Sequence, residues 1–191
     1  MIAGLLLAAG GSRRFGSQKL LAVLDGVPVV RRSASMLASV VDRTIVVVGA
    51  DADGVERALD GLPLAIVRNE RWANGLSGSL AAGIAVLPGD VEAVLIALGD
   101  QPMVAREPFD AVIARWRAGG ASVVAPVFRG ERGHPVLFGR EVFAELARVQ
   151  GDVGARDVIQ RDPDRVALVE IADPLPVDVD TPNDLRRLTT S

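Results

Sequence analysis

Residues 8 to 19 read AAGGSRRFGSQK and lie between two apolar runs. Gly10, Gly11 and Gly16 permit close backbone approach to a ligand, and Arg13, Arg14 and Lys19 add positive charge. Adjacent backbone N–H groups with cationic side chains are what a polyphosphate needs. A solvated basic turn would account for the arginines but not for three glycines. The glycines do not follow G-x-G-x-x-G, and SQK stands where a Walker A loop has K[ST], so the loop is neither a dinucleotide turn nor a P-loop. Further on, LGDQP sets Asp100 just past an apolar run. A carboxylate at a strand end facing a phosphate loop suits Mg²⁺, which takes one or two carboxylates with phosphate oxygens and water. Taken alone, such an aspartate would be a turn or cap residue. VDVDTPNDL brings in Asp178, Asp180 and Asp184. In an extended segment Asp178 and Asp180 share a face. Asp180-Thr181-Pro182 also reads as a helix start, and capping and metal binding by Asp180 are compatible.

Uncharged polar groups gather in VRNERWANGLSGSLAAGI. Asn69, Asn74, Gly75, Ser77 and Ser79 offer amides, hydroxyls and backbone for a nucleobase edge or ribose. They equally suit a turn and a helix cap. Trp72 has no aromatic neighbour in sequence and reads as a packing residue. His134, the single histidine, opens a predicted strand; it reads as structural and excludes a multi-histidine metal site.

The elements that must position these groups alternate along the chain. Strands are expected at residues 2 to 7, 43 to 49, 63 to 68, 92 to 98, 121 to 127, 134 to 138 and 165 to 171. Helices are expected at 28 to 40, 52 to 60, 76 to 87, 105 to 118, 139 to 149, 152 to 161 and 181 to 189, with Asp51, Ser77 and Thr181 as cap or first-turn residues. FRGERGH, residues 128 to 134, reads as a polar loop joining two strands. Short apolar strands separated by helices specify a mostly parallel sheet covered on both faces. Ligands of such sheets sit beyond the carboxyl ends of the strands, which singles out the loops after residues 7, 68, 98 and 171.

The 191 residues, 49% apolar and 24% charged, suit one globular domain spanning 1 to 191. A net charge of −3 with mixed signs offers no broad basic face for nucleic acid and no polybasic membrane patch. Cysteine is absent, which removes disulfides and thiolate chemistry and agrees with a cytoplasmic location. No apolar run reaches the roughly 18 residues a membrane span needs, and the start MIAGLLLAAGG lacks a basic region ahead of its short apolar run.

Together LAAGGSRRFGSQKLL, NERWANGLSGSLAAGI, LGDQP, RGHPVLF, GDVGARDVI and DVDTPNDL resemble the molybdenum cofactor nucleotidyltransferases, the MobA-like NTP transferases, and most closely their cytidylyltransferase branch. The resemblance implies a Rossmann-like three-layer sandwich of the nucleotide-diphospho-sugar transferase type. It implies a triphosphate wrapped by Ala8, Ala9, Gly10, Gly11 and Ser12 with Arg14 and Lys19. It further implies Mg²⁺ on Asp100 and Asp180, and base or ribose contacts around Asn69, Gly75, Ser77 and Ser79. Arg14, Lys19 and Asp100 would carry catalysis. The substrates would be CTP and the molybdenum cofactor, with a molybdoenzyme or its maturation factor as recipient. Glu70 replaces the proline that relatives carry after Asn69, and Ala9 stands where guanylyl-transferring relatives tend to have glycine. A sugar-phosphate acceptor and a non-catalytic cofactor-carrying module are the alternatives.

Overall fold

The computed structural model describes residues 1–12, 14–151 and 154–189. Ile2–Ala8 (β1) is apolar except for Gly4 and wholly buried, as befits a strand covered on both faces. The remaining strands are Val23–Leu24 (β2), Val27–Pro28 (β3), Arg43–Val48 (β4), Leu64–Arg68 (β5), Ala93–Leu98 (β6), Val123–Phe128 (β7), Glu131–Arg132 (β8), Val136–Gly139 (β9) and Val166–Ile171 (β10). The helices are Val29–Ala38 (α1), Ala52–Ala58 (α2), Leu76–Ala85 (α3), Arg106–Arg117 (α4), Phe143–Leu146 (α5), Arg156–Arg161 (α6) and Pro182–Thr189 (α7).

The main sheet runs β10-β7-β9-β6-β1-β4-β5, with β8 paired to β7. Its pairs are parallel except where β9 lies antiparallel between β6 and β7 and where β8 folds back on β7. Side chains that alternate along β1, β4 and β6 enter two cores. Leu6, Val46 and Leu95 meet Val30, Leu37, Val55 and Phe109 on one face. Leu5, Val47 and Ile96 meet Leu80, Ile84, Leu146 and Val158 on the other. The result is the expected three-layer, mostly parallel arrangement. At the carboxyl ends of β1 and β6, the two central neighbours, both chains leave the sheet side by side, and the chemistry-bearing loops begin there.

Two expectations are revised. FRGERGH is a tight hairpin rather than an open loop: Arg129 (φ 50°) and Gly130 (φ 92°) turn β7 directly into β8, with Phe128 facing Glu131. Two successive positive φ values match the twist that a two-residue hairpin turn requires. The helix expected over 139 to 149 is reduced to a 3₁₀ turn at Arg140–Val142 followed by the short α5. Gly139 donates to the Ser122 carbonyl at 2.7 Å and Arg140 to the Glu92 carbonyl at 2.8 Å, so the sheet retains residues that the pattern had assigned to the helix. Ser77 stands in the first turn of α3, as expected, and Gly75 occupies the cap position. Of the helix expected at 152 to 161, residues 152 and 153 lie outside the described residues, and α6 starts at Arg156.

Candidate active site

Four segments converge at the carboxyl ends of β1 and β6 to form a cleft of about 490 Å³, within the roughly 300–1,000 Å³ usual for small-molecule sites. Ala8, Ala9, Gly10, Gly11 and Ser12 form one wall, with Arg14 and Lys19 beyond them. Asp100 and Asp180 stand opposite, and Trp72, Gly75 and Ser79 close the side. Arg13 lies outside the described residues.

Gln18 fixes the shape of the glycine-rich loop. Its Nε2 donates to the carbonyls of Gly10 (3.2 Å) and Ala50 (2.9 Å), and its Oε1 accepts from Ser12 Oγ at 2.6 Å. Ser12 Oγ in turn accepts from the Lys19 amide at 3.0 Å, so one half-buried network sets where Lys19 begins. Trp72 packs against the loop. A side chain at Gly11 would strike its ring at 2.7 Å, and one at Gly49 its Cβ. Gly10 differs: nothing lies within 4 Å of the place a Cβ would take, so its bare backbone faces open cleft. That opening is where a ligand can meet backbone N–H groups.

The two acidic motifs meet because backbone pairing joins them. Val179, fully buried, donates its N–H to the Asp100 carbonyl at 2.9 Å and draws the segment from 178 to 180 alongside the end of β6. Thr181 and Asp184 then start α7 by reciprocal capping: Asp184 Oδ2 accepts from the Thr181 amide at 2.8 Å, and Thr181 Oγ1 accepts from the Asp184 amide at 3.3 Å. Asp184 is thus used as a cap, while Asp180 is left facing the cleft. Asp178 does not line the cleft and accepts from Gln101 Nε2 at 2.7 Å. Burial raises the Asp178 carboxyl above its ordinary range, against the pull of that hydrogen bond.

Lys19 Nζ lies between the two facing carboxylates, 2.6 Å from Asp100 Oδ2 and 2.8 Å from Asp180 Oδ1. Burial by itself would lower the Lys19 ammonium, but the charges and hydrogen bonds of Asp100 and Asp180 outweigh it and hold the group above its usual range. The hydrogen bond from Lys19 keeps Asp180 below the usual carboxylate range. Arg14 Nη2 adds a 2.7 Å bridge to Asp180 Oδ2, although its side chain is 74% exposed. Two carboxylates converging on one cationic point suit a divalent ion completed by phosphate oxygens and water. Among the described residues no group of three or more His, Asp or Glu side chains could hold a metal alone.

Two expected nucleotide contacts stand behind the wall and not in it. Asn69 is buried, its Nδ2 donating to Ser79 Oγ at 3.0 Å and its Oδ1 accepting from the Arg71 amide at 3.0 Å. Ser77 is buried too, its amide donating to the Gly151 carbonyl at 3.2 Å. Both order the turn whose inner surface is Gly75 and Ser79; Gly75 takes φ 102°, a conformation that favours glycine. Gln18 and Gln101 escaped the sequence reading. Their signal was position alone, one beside Lys19 and the other beside Asp100.

His134 lies near enough to feel the charges of Asp100 and Arg156, and burial pushes it down to about 4. It is therefore neutral at pH 7. Between its ordinary value near 6.5 and about 4, the unfolded chain binds a proton that the folded chain refuses. Stability therefore falls as pH drops through that window. The expected result is a decline in ΔG of unfolding from pH 6.5 to 4 that His134→Asn flattens; equal slopes in both proteins, by urea denaturation, would remove His134 from the account.

A polyphosphate-sized cleft with facing carboxylates, at the carboxyl end of a mostly parallel sheet, belongs to the class of nucleotidyltransferases. Residues 4–166 match the MobA-like NTP transferase domain, and the chain belongs to that family. It is 32% identical over 198 residues to the nicotine blue oxidoreductase of Paenarthrobacter nicotinovorans, covering 98% of this chain and 96% of that protein. It is 34% identical over 134 residues to the molybdenum cofactor guanylyltransferase of Cereibacter sphaeroides, covering 69% and 65%. The crystal structure of Rv0371c from Mycobacterium tuberculosis H37Rv matches with a TM-score of 0.90 at 30% identity, over 100% of this chain and 98% of that one. The manganese complex of the same protein matches at 0.83, with the same identity and coverage. No helix among the described residues is long and apolar enough to cross a membrane.

Proposed function

We propose that the protein transfers a cytidylyl group from CTP to the terminal phosphate of molybdenum-bound molybdopterin and releases pyrophosphate. The observation that carries this reading is the meeting of Gly10, Lys19, Arg14, Asp100 and Asp180 in one cleft. An acceptor phosphate oxygen attacks the α-phosphorus of CTP, and the bond from that phosphorus to the bridging oxygen of the β-phosphate breaks. A phosphate monoester has its second pKa near 6 and is largely dianionic at neutral pH, so the attack needs no side-chain base. The difficulty is repulsion between anions and charge growing on the transferring group, which positioned cations and amides offset. Lys19, Arg14 and the open backbone at Gly10 face that charge. Asp100 and Asp180 would hold Mg²⁺, which supplies further neutralisation of phosphate oxygens.

Selection of CTP rests on Ala9, a 6% exposed residue of the cleft wall whose methyl narrows the space beside the base. A pyrimidine tolerates that narrowing better than a purine, and polar groups at the Gly75–Ser79 turn add discrimination. An oxidoreductase reading, raised by the name of one relative, lacks a dinucleotide-binding turn in the first loop.

The test is pyrophosphate release from each of four nucleoside triphosphates with molybdenum cofactor as acceptor. CTP is expected to give the highest kcat/KM, and Ala9→Gly to reduce the CTP-to-GTP ratio without inverting it. A starting preference for GTP would assign the protein to guanylyl transfer. Release only with a sugar phosphate would reassign the acceptor, and binding without release would make the protein a carrier.

A further inference from the structure

Lys19 is the only lysine in the chain; the other 20 of its 21 basic residues are arginine. It stands where an arginine would fit poorly. An ammonium is a compact charge with three donors, able to sit between two carboxylates, whereas a guanidinium is a planar fork suited to one. Its side chain is 13% exposed, and its Nζ bonds Asp100 Oδ2 and Asp180 Oδ1 at 2.6 and 2.8 Å. Those are the oxygens that a divalent cation would use.

Resting on the reading of Asp100 and Asp180 as the metal carboxylates, we infer that Lys19 is an internal counterion which reserves this pair, so that a divalent cation enters only together with a polyphosphate. The formal charges of Lys19 and Arg14 cancel those of Asp100 and Asp180. A bare dication must therefore evict a largely buried ammonium that has no other hydrogen-bond partner among the described residues, and an uncompensated buried charge is costly. A nucleoside triphosphate removes the obstacle. Its oxygens offer Lys19 a new partner, and its roughly four negative charges balance the incoming cation. The ammonium passes from carboxylates to phosphate, and the cation takes the oxygens it leaves. The same lysine thus excludes the metal from the empty cleft and grips the substrate in the filled one.

Mn²⁺ binding to nucleotide-free protein, followed by the electron paramagnetic resonance of the free ion, tests this without reference to turnover. Lys19→Met is expected to bind Mn²⁺ at least tenfold more tightly than the unaltered protein, and the double variant Lys19→Met/Asp100→Asn to lose that gain. Equal or weaker binding by a folded Lys19→Met would overturn the inference. Should that variant not fold, the single lysine gives one side-chain NMR signal in unaltered protein labelled at lysine. That signal is expected to stay in place with Mg²⁺ alone and to shift with Mg²⁺ plus a non-hydrolysable CTP analogue. A shift with Mg²⁺ alone would overturn the inference. Absence of protein-bound Mn²⁺ in every form, analogue present or not, is a different failure and would withdraw the metal assignment of Asp100 and Asp180.

Discussion

Asp100→Asn is expected to lower CTP-dependent pyrophosphate release on the order of a thousandfold while the protein stays folded. Asparagine keeps the shape of the side chain and removes the charge that faces Lys19 at 2.6 Å. A metal that polarises phosphate oxygens contributes several kcal/mol to the transition state, and each 1.4 kcal/mol is about a factor of ten in rate. The backbone that joins the two acidic motifs is untouched, because the bond from Val179 uses the Asp100 carbonyl and not its carboxylate. The thermal midpoint should therefore move little while kcat collapses. Asp180→Asn should act in the same direction, with Arg14 losing its 2.7 Å partner as well. Asp184→Asn makes the contrasting control, since that carboxylate caps α7 and should affect stability more than rate. Unchanged Mg²⁺-dependent turnover in Asp100→Asn would remove it from the metal's ligands.

Lys19→Met should reduce transfer by about 10²- to 10³-fold, the cost usual for losing one preorganised group aimed at developing charge. Its effect on cytidine binding should be small, because the ammonium lies with the carboxylates and phosphate loop and away from the Gly75–Ser79 turn. The loss should appear in kcat/KM for CTP even where the empty variant binds Mn²⁺ more tightly, an opposition of sign that a general loss of structure would not produce. Arg14→Ala should show a weaker form of the same effect, since an exposed side chain at 74% gains less from its ion pair. The measurements are steady-state pyrophosphate release and calorimetric titration with cytidine and CTP. If the unaltered protein binds cytidine as well as CTP, the phosphate role of both residues fails.

Local pattern carried much of this molecule. The apolar runs that became β1, β4 and β6 are long and β-branched or leucine-rich, and burial on both faces needs only that composition. The glycine-rich loop and Asp100 were legible for the same reason: each directly follows such a strand, and a parallel sheet delivers its strand ends to one edge. Direction and partnership were not legible. A short apolar run marks β9 as a strand but says nothing of its antiparallel course, which follows from the turn at Arg129 and Gly130. Asn69 and Ser77 read as ligand groups because amide and hydroxyl chemistry suits a nucleotide and a turn alike; only packing shows both to be buried, with the Asn69 side chain bonded to Ser79 Oγ and the Arg71 amide and the Ser77 backbone amide bonded to the Gly151 carbonyl. The pairing of Lys19 with Asp100 and Asp180 spans 81 and 161 residues of chain. No spacing rule reaches that far. The meeting depends on which strands are neighbours and on one backbone hydrogen bond from Val179, so residue types and the end of the sheet where they lie follow from local pattern, while the charges that face one another follow from how the strands are packed.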